Sequence, residues 1–374
     1  MEIGIDASRA TTPQPTGTEH YSWRLINGLL RLSDGHRYRL YMRERPAVGH
    51  FLDVSHAEHV VMPFGRLWTH ARLSAEMLLH PPDVLFVPAH VLPLIHPRRS
   101  VVTVMDLGYR YYPETHPWQD RLYLDWSTRR NAHQARQVIT ISGATRDDLI
   151  RHYGTDPAKI TVVYPGVDEE IVREEEPDRI GEVRSHYGLT DSYLLYIGTL
   201  HPRKNLVRLI RAFGRMLSEW PSEAGESPML VLAGKKGWLY DQIFAEAHAL
   251  GLENRVIFPG YIPQAHLLPL LSGAGAFVFP SLFEGFGFPI LEAMACHVPV
   301  VTSRASCLPE VAGDAALLVD SHDEADLARA MTRITTDPAL RAALVERGIR
   351  RAQEFTWERC ARETLAVLER AGER

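Results

Sequence analysis

The stretch Ala276-Phe-Val-Phe279-Pro-Ser-Leu-Phe-Glu284-Gly-Phe-Gly-Phe-Pro289-Ile-Leu-Glu292 predicts a strand, a loop and the start of a helix. Its first four residues form an uninterrupted apolar run, which is typical of a buried strand. Pro289 suits the first position of a helix, because proline lacks the N–H group that this position leaves unpaired. The pattern therefore predicts that Glu284 lies in the loop and that Glu292 lies in the first turn of the helix.

The two glutamates and the glycines between them indicate a ligand site. Backbone N–H groups around Gly287 and Phe288 would point towards a molecule bound at the carboxyl end of the strand. Carboxylates and N–H groups together suit a ligand that carries hydroxyl groups or negative charge. A structural interpretation of either glutamate alone is equally open, because the helix dipole by itself favours an acid near a helix start.

The composition narrows the class of protein. The chain has 374 residues, of which 45% are hydrophobic and 23% charged, and this predicts a soluble globular protein of two domains. A net charge of -5 gives no electrostatic support for nucleic-acid binding. No stretch approaches the roughly 20 apolar residues of a membrane span. The first residues resemble a strand rather than a signal peptide, so we expect a cytoplasmic protein.

The cysteines and several missing motifs exclude other chemistries. Cys296, Cys307 and Cys360 lack the paired spacing of a disulfide framework or a zinc site, and we interpret them as small buried apolar residues. The sequence contains no Asp-x-Asp motif, no P-loop and no Gly-x-Ser-x-Gly nucleophile elbow. The histidines lack metal-ligand spacing. We therefore expect no metal site.

Strand-like and helix-like segments alternate along the chain, which predicts parallel sheets covered by helices. In the first half, strands are predicted at residues 2–6, 37–42, 58–62, 84–87, 100–105, 137–141 and 160–163, and helices at 18–32, 67–79, 120–135 and 143–153. In the second half, strands are predicted at 193–197, 229–233, 255–258, 276–279 and 298–302, and helices at 205–219, 325–335, 338–355 and from 356 onwards. The charged residues 169–181 are predicted to be a linker. We expect an α/β fold of two Rossmann-like, doubly wound domains that face a cleft.

A second candidate site lies in Gly198-Thr-Leu-His-Pro-Arg203-Lys204-Asn205, after the first strand of the second half. Gly198 would let a ligand approach the backbone closely. Arg203 and Lys204 precede a predicted helix whose dipole disfavours cations at its start, and a bound diphosphate would offset that cost. The alternative is that both cations are simply solvated at the surface.

The first half contributes weaker signals. Gly17 and Thr18 lie between the first strand and its helix, where a glycine permits close approach to a phosphate or a sugar, although an ordinary helix-entry turn explains it equally well. Asp106 follows a strand and is expected to face the cleft. The four residues that follow Gly108 are expected either to line an acceptor site or to pack in the core: Tyr109, Arg110, Tyr111 and Tyr112.

These motifs together resemble the retaining glycosyltransferases of family 4, also called group 1, which have the GT-B architecture. The two glutamates of the opening stretch match the E-x7-E motif of that family, which is the most specific element. The resemblance is nearly end to end and includes residues 4–8, 16–18, 101–107, 139–142, 163–168, 196–209, 232–238, 260–262 and 279–311.

The resemblance implies that residues 1–168 bind the acceptor, that residues 169–355 bind a nucleotide-sugar, and that a helix within residues 356–374 packs back on the first domain. Arg203 and Lys204 would hold the donor diphosphate, Glu284 would contact the sugar at the reacting centre, and Glu292 would bind the ribose. The backbone of Phe286, Gly287 and Phe288 would hold the sugar, and Tyr261 and Ile262 would border the base. Gly17 and Thr18 would approach the donor phosphates or the acceptor from the opposite wall, and Gly198 would belong to the nucleotide-sugar site.

One position departs from the family pattern. Many relatives have His-Asp-Leu where this chain has Met105-Asp106-Leu107. Methionine cannot donate a strong hydrogen bond. Asp106 then takes over part of the histidine's role at the reacting centre, or the donor sugar lacks the hydroxyl group that the histidine would meet, or the chain has lost activity.

The resemblance implies retaining transfer of a hexose, with mannose as the first candidate, from a GDP- or UDP-linked donor without an obligate metal. The acceptor would be a carbohydrate or a lipid-linked glycan of polysaccharide or glycolipid biosynthesis. Two alternatives are a non-catalytic nucleotide-sugar-binding subunit and a nucleotide-sugar epimerase of the same architecture. Residues 66–79 are a candidate for contact with the inner face of the membrane, and core packing is the competing interpretation.

Overall fold

The computed structural model describes residues 1–12, 17–32, 35–89 and 91–373. Contacts between Cα atoms divide the chain into two compact units. Unit 1 consists of Met1–Gly166 together with Phe355–Arg374, and unit 2 consists of Val167–Glu354. Thr16, which belongs to one of the motifs above, lies outside the described residues.

Unit 1 contains a seven-stranded sheet in which all described neighbours are parallel. Its strands are β1 (Glu2–Asp6), β2 (Arg37–Met42), β3 (Ala57–Val61), β4 (Val84–Val87), β5 (Ser100–Val104), β6 (Gln137–Thr140) and β7 (Ile160–Val162). Their spatial order is β3-β2-β1-β4-β5-β6-β7. The order reverses between β1 and β4, and in such sheets ligands bind beyond the carboxyl ends of the strands near the reversal.

Helices connect these strands. They are α1 (Gly17–Arg31), α2 (Ser74–Leu79), α3 (Gly108–Tyr111), α4 (Trp118–Gln134) and α5 (Gly143–Tyr153), and a π-helical segment, Trp68–Leu73, leads directly into α2. The side chain of Ser142 caps α5 by accepting a hydrogen bond from the backbone N–H of Thr145 at 3.2 Å. β4 and β5 are fully buried because helices cover both faces of the sheet.

Unit 2 repeats this plan with six parallel strands among its described residues. They are β8 (Tyr193–Ile197), β9 (Met229–Ala233), β10 (Val256–Gly260), β11 (Ala276–Phe279), β12 (Val300–Ser303) and β13 (Ala316–Val319), in the order β10-β9-β8-β11-β12-β13. Its helices are α6 (Pro177–His186), α7 (Leu206–Ser218), α8 (Asp241–Ala249), α9 (Gln264–Ser272), α10 (Phe288–Ala295), α11 (Leu308–Ala312), α12 (Glu324–Thr336) and α13 (Pro338–Gln353). Here the strand order reverses between β8 and β11.

The last helix, α14 (Trp357–Gly372), returns to unit 1. It packs against α1 and against β4, β5 and β6. Thr356 caps it by accepting a hydrogen bond from the N–H of Arg359 at 3.1 Å. The predicted α/β architecture, with two doubly wound sheets and a final helix that returns to the first unit, is confirmed.

The prediction of a linker at residues 169–181 is wrong at its end, because α6 begins at Pro177. Within this ten-residue helix, Val183 is the one buried residue, so the sequence of α6 has no apolar stripe from which a helix could be predicted. The sequence also did not predict α3, α8, α9, α11 and β13. No helix in the described part of the chain has the length and apolar character needed to cross a bilayer.

Candidate functional site

Two loops of unit 2 meet beyond the carboxyl ends of β8 and β11. The N–H of Leu282 donates to the carbonyl oxygen of Arg203 at 2.9 Å. The side-chain amide of the buried Asn205 donates to the carbonyl oxygens of Pro280 at 3.2 Å and of Ser321 at 2.7 Å. These bonds join the two predicted sites, which are distant in sequence, at the strand reversal where open α/β sheets bind ligands.

A buried ion pair lies between these loops. Nζ of Lys204 is 2.5 Å from Oε1 of Glu284, and it also lies 5.0 Å above the ring of Phe279. Burial by itself disfavours the charged carboxylate of Glu284, but the charges of Lys204 and Arg203 and the hydrogen bond from Lys204 outweigh it and lower the pKa. Glu284 is therefore ionised at neutral pH although only 8% of its surface is exposed.

Arg203 supplies a second positive charge. It lies in a 3-10 turn, Pro202–Lys204. The backbone N–H of Arg203 donates a hydrogen bond to Nδ1 of His201 at 3.2 Å. The guanidinium is half-buried and forms no ion pair with any residue in the described ranges. Two cations and one carboxylate leave one positive charge in excess, which suits an anionic ligand.

The loop that carries Glu284 is held firmly from one side. The backbone carbonyl oxygen of Glu284 accepts hydrogen bonds from Oγ of Ser306 at 2.6 Å and from Sγ of Cys307 at 3.1 Å. Gly287 directly precedes α10 as its N-cap, in the left-handed region with a φ of 100°, and a Cβ there would lie 2.7 Å from Cδ2 of Leu308. Only glycine fits both conditions, and it fixes where the positive end of the α10 dipole lies.

The predicted place of Glu292 in the first helical turn is wrong. α10 begins at Phe288, so Pro289 is its second residue and Glu292 its fifth. The helix starts one residue earlier than predicted because Gly287 supplies the left-handed cap. The implied role of Glu292 at a ribose stays a prediction, as do the implied backbone contacts of Phe286, Gly287 and Phe288.

The loops after β8, β9 and β10 also pack closely. A Cβ on Gly234 would lie 1.8 Å from the carbonyl oxygen of Gly198, and the N–H of Gly234 donates to the carbonyl oxygen of Gly260 at 2.8 Å. Tyr261 follows, with 65% of its surface exposed, and Nζ of Lys235 lies 5.0 Å above its ring. Ile262, by contrast, is buried. The exposed ring and its cation form a flat surface suited to an aromatic base.

In unit 1, a pocket of about 360 Å³ lies at the carboxyl end of β5. Thr18, Met105 and Asp106 line it, and Oδ1 of Asp106 accepts a hydrogen bond from the N–H of Gly108 at 2.7 Å. Gly17 is the first residue of α1, and a Cβ there would meet nothing within 4 Å, so the protein itself does not require a glycine at that position.

Of the aromatic residues after Asp106, Tyr109 lines this pocket and is also buried. Tyr109 borders the pocket, while its hydroxyl group lies 2.8 Å from that of Tyr153, which donates to Oδ1 of Asp125 at 2.8 Å. Burial raises the pKa of Tyr109. Arg110 pairs with Asp125. Packing is thus confirmed for Tyr109, whereas Arg110 and Tyr111 are exposed. The acceptor site stays a prediction.

Some site residues were missed by the sequence reasoning. In unit 1, α4 supplies one wall of the pocket through Leu124, Ser127, Thr128 and Asn131, and their spacing on one helical face was the available signal. In unit 2, Asn205 directly precedes α7 with a φ of 63°. The predicted helix began at Asn205, and the preference of asparagine for helix caps could have indicated this role.

The cysteines are buried, as predicted, and burial raises the pKa of Cys296 to about 12. Among the residues that the structure describes, no group of three or more His, Cys, Asp or Glu side chains could hold a metal ion.

Comparison with known proteins places the chain in a family. The sequence profile described as Glycosyltransferase Family 4 matches residues 15–171, and the profile described as Glycosyl transferases group 1 matches residues 183–351. The O-antigen chain mannosyltransferase B of Escherichia coli is 32% identical over 267 residues, which are 71% of this chain and 69% of that protein.

The serotype-specific mannosyltransferase WbdA of Escherichia coli is 30% identical over 231 residues, which are 61% of this chain but only 28% of that longer protein. The crystal structure of HepE from Anabaena in complex with UDP and glucose has a TM-score of 0.74 at 20% identity, and the match covers 99% of this chain and 100% of that one. With the two profiles and the E-x7-E loop, these findings show that the chain belongs to glycosyltransferase family 4, the glycosyl transferases group 1.

Proposed function

We propose that this glycosyltransferase moves a hexose from a nucleoside diphosphate sugar to an acceptor hydroxyl group with retention of the anomeric configuration. The observation that carries the proposal is the buried Lys204–Glu284 pair beside Arg203, at the strand reversal of unit 2. It combines cations for a leaving diphosphate with an ionised carboxylate for an electron-poor sugar.

The charges suit the developing transition state. As the bond from the anomeric carbon to the phosphate oxygen breaks, negative charge grows on the nucleoside diphosphate, where Arg203 and Lys204 would stabilise it. Positive charge grows on the sugar ring, where Glu284 would stabilise it and accept hydrogen bonds from hydroxyl groups. The acceptor oxygen would bond to the anomeric carbon on the same face, and its proton would pass to the leaving phosphate.

We propose that the reaction has no obligate metal, because Arg203 and Lys204 supply the cationic charge and the sequence has no Asp-x-Asp motif. Product formation that survives excess EDTA would support this part of the proposal. Activity that disappears with EDTA and returns with Mg²⁺ would contradict it.

Mannose from GDP-mannose is our first choice of donor, and a cytoplasmic reaction of surface-polysaccharide synthesis is our first choice of pathway class. The two Escherichia coli relatives, both named as mannosyltransferases, support this choice. HepE was crystallised with UDP and glucose, so UDP-glucose is the direct competitor as donor.

A thermal-shift screen of GDP, UDP, GDP-mannose and UDP-glucose tests the donor, because a ligand that binds only the folded state must raise the Tm. The anomeric configuration of the product, read by NMR, then tests retention. Turnover of the sugar nucleotide without an acceptor would favour the epimerase alternative. If no nucleoside diphosphate or sugar nucleotide raised the Tm, the proposal would be wrong.

A further inference from the structure

Helix α4 has two faces of opposite character. One face lines the pocket of unit 1 through Leu124, Ser127 and Asn131. Trp126 follows Leu124 by two residues, which is about 200° around the helix axis. Trp118, Leu122 and Trp126 are spaced four residues apart, so they form a stripe on the face away from the pocket.

This outer stripe is exposed although it is apolar. Trp118, Leu122, Tyr123 and Trp126 each have 40% to 64% of their surface accessible in the full chain. A single exposed apolar side chain needs no explanation, but a cluster of large ones that includes two tryptophans indicates an interaction surface.

Neighbouring segments extend the stripe. Nε2 of His70 lies 2.9 Å from the hydroxyl group of Tyr123, which ties α4 to the π-helical segment that follows the exposed Leu67. The guanidinium of Arg130 donates to the carbonyl oxygen of Leu94 at 3.0 Å, and the side chain of Leu94 is exposed as well. We call these six apolar residues the outer face of α4: Leu67, Leu94, Trp118, Leu122, Tyr123 and Trp126.

Exposed arginines outnumber exposed carboxylates around the outer face. Within residues 63–80, 91–99 and 117–130, the exposed arginines are Arg66, Arg98, Arg121 and Arg129, and the exposed carboxylate is Asp120. The side chain of Asp125 is 39% exposed as well, but its charge is offset by an ion pair with Arg110. Arg129 lies between Trp118 and Leu122 in angular position, whereas Asp120 lies on the side of α4 that faces the pocket. An apolar centre with cations around it matches a membrane surface that carries anionic lipids.

We propose that unit 1 docks on an anionic lipid bilayer through the outer face of α4. Tryptophan, tyrosine and leucine enter the interfacial region, and the arginines contact lipid phosphates. The sequence had suggested residues 66–79 for lipid contact, but Trp68, Leu73 and Met77 of that segment are buried, and α4 provides most of the surface. Docking needs neither donor nor acceptor, so it is tested apart from the proposed transfer reaction.

The test is co-sedimentation of the full chain with vesicles. We expect binding to phosphatidylcholine vesicles that contain about 30 mol % phosphatidylglycerol and little binding to pure phosphatidylcholine. Raising sodium chloride from about 0.05 M to about 0.5 M should reduce the bound fraction, because salt screens the arginines.

Paired variants assign the binding to this surface. Trp118→Ser combined with Leu122→Glu should weaken vesicle binding about tenfold or more. Trp238→Ser is the matched control, because Trp238 is 65% exposed, as Trp118 is at 64%, but lies in unit 2. Arg129→Glu should weaken binding about fivefold or more, whereas Arg333→Glu, an exposed arginine of unit 2, should not. Unchanged Tm values would exclude unfolding as the cause.

Three results would overturn the proposal. The first is a wild-type chain that stays in the supernatant with anionic vesicles. The second is a Trp118→Ser/Leu122→Glu chain that binds them as well as wild type does. The third is light scattering that shows a dimer which Leu122→Glu disrupts, since the outer face would then be a contact between two copies of the chain.

Discussion

The ammonium group of Lys204 and the carboxylate of Glu284 lie 2.5 Å apart, and each belongs to a different loop of unit 2. The pair is largely buried, with 14% of the lysine side chain and 10% of the glutamate side chain exposed. Removing one partner of such a pair leaves the other charge buried and unbalanced. The pair therefore both holds the two loops together and keeps the carboxylate charged.

Arg203→Ala should abolish most transfer without unfolding the protein. The guanidinium forms no ion pair within the described residues, so the stability should change by less than about 1 kcal/mol. Its charge would act on the leaving diphosphate, and its loss should lower kcat about 100-fold or more. Arg211→Ala is the control, because Arg211 lies on α7 and pairs with Glu246 of α8 rather than with Glu284. Wild-type kcat in Arg203→Ala would contradict the proposed role.

The contribution of Glu284 to stability should disappear in acid. Its pKa in the folded protein lies below the ordinary value of 4.5, so ionised Glu284 stabilises the fold fully above that pH. The stabilisation is lost as the pH falls through the lowered pKa. The free energy of unfolding of wild type and of Glu284→Gln, measured in urea from about pH 7 to about pH 3, should therefore converge at the acid end. Curves that stay parallel would show that the carboxylate charge does not contribute.

Gly287→Ala should destabilise unit 2 more than Gly154→Ala destabilises unit 1. Both glycines have positive φ, 100° and 62°, so each substitution introduces backbone strain of about 1 kcal/mol or more. A Cβ at Gly154 meets nothing within 4 Å, whereas one at Gly287 meets Leu308. The extra cost at Gly287 should be about 1–3 kcal/mol in urea denaturation. Equal costs would show that the left-handed conformation alone requires glycine there.

Tyr261→Ala should weaken nucleotide binding but leave the stability nearly unchanged, because most of the ring is exposed. If the ring stacks on the base, the loss of stacking should raise the Kd for the preferred nucleoside diphosphate about fivefold to tenfold. Inorganic pyrophosphate is the matched ligand, since it has no base and should bind both proteins equally in calorimetry. An equal loss for both ligands would place Tyr261 at the phosphates.

Asp106→Asn removes the negative charge of Asp106 but keeps an oxygen that can accept the hydrogen bond from Gly108. An asparagine Oδ1 can still accept the hydrogen bond from the N–H of Gly108, so the Tm should change little. If the carboxylate acts at the reacting centre, kcat should fall about 100-fold. A chain with unchanged kcat would assign Asp106 to the loop structure alone.

Several strands could be predicted with their observed bounds from the local sequence pattern alone. β8, β9 and β11 were predicted with their observed bounds, because uninterrupted apolar runs identify them without any need for partners. The cap at Ser142 was predictable for a similar reason, since its hydroxyl group acts on the next turn of the same chain.

Features that depend on distant partners could not be predicted. The sequence indicated Lys204 and Glu284 separately as ligand-binding residues, but their direct contact depends on how two loops pack. α6 escaped prediction because it is mostly exposed, and α9 because Pro269 lies within it. The outer face of α4 was missed because apolar residues on an isolated helix predict burial, and exposure becomes visible only once its neighbours are placed.

The chain leaves unit 1 and re-enters it at adjacent points. A Cβ on Gly166 would lie 2.2 Å from the backbone nitrogen of Trp357, and the rings of Tyr164 and Phe355 are 5.6 Å apart. Unit 2 is thus inserted between two neighbouring positions of unit 1, much as a guest domain is inserted into a surface loop of a host. A short glycine-rich bridge from Gly166 to Phe355 should give a continuous host domain. If unit 2 binds the donor, as the proposed function requires, exchanging residues 167–354 for those of a relative should transfer the donor preference of that relative.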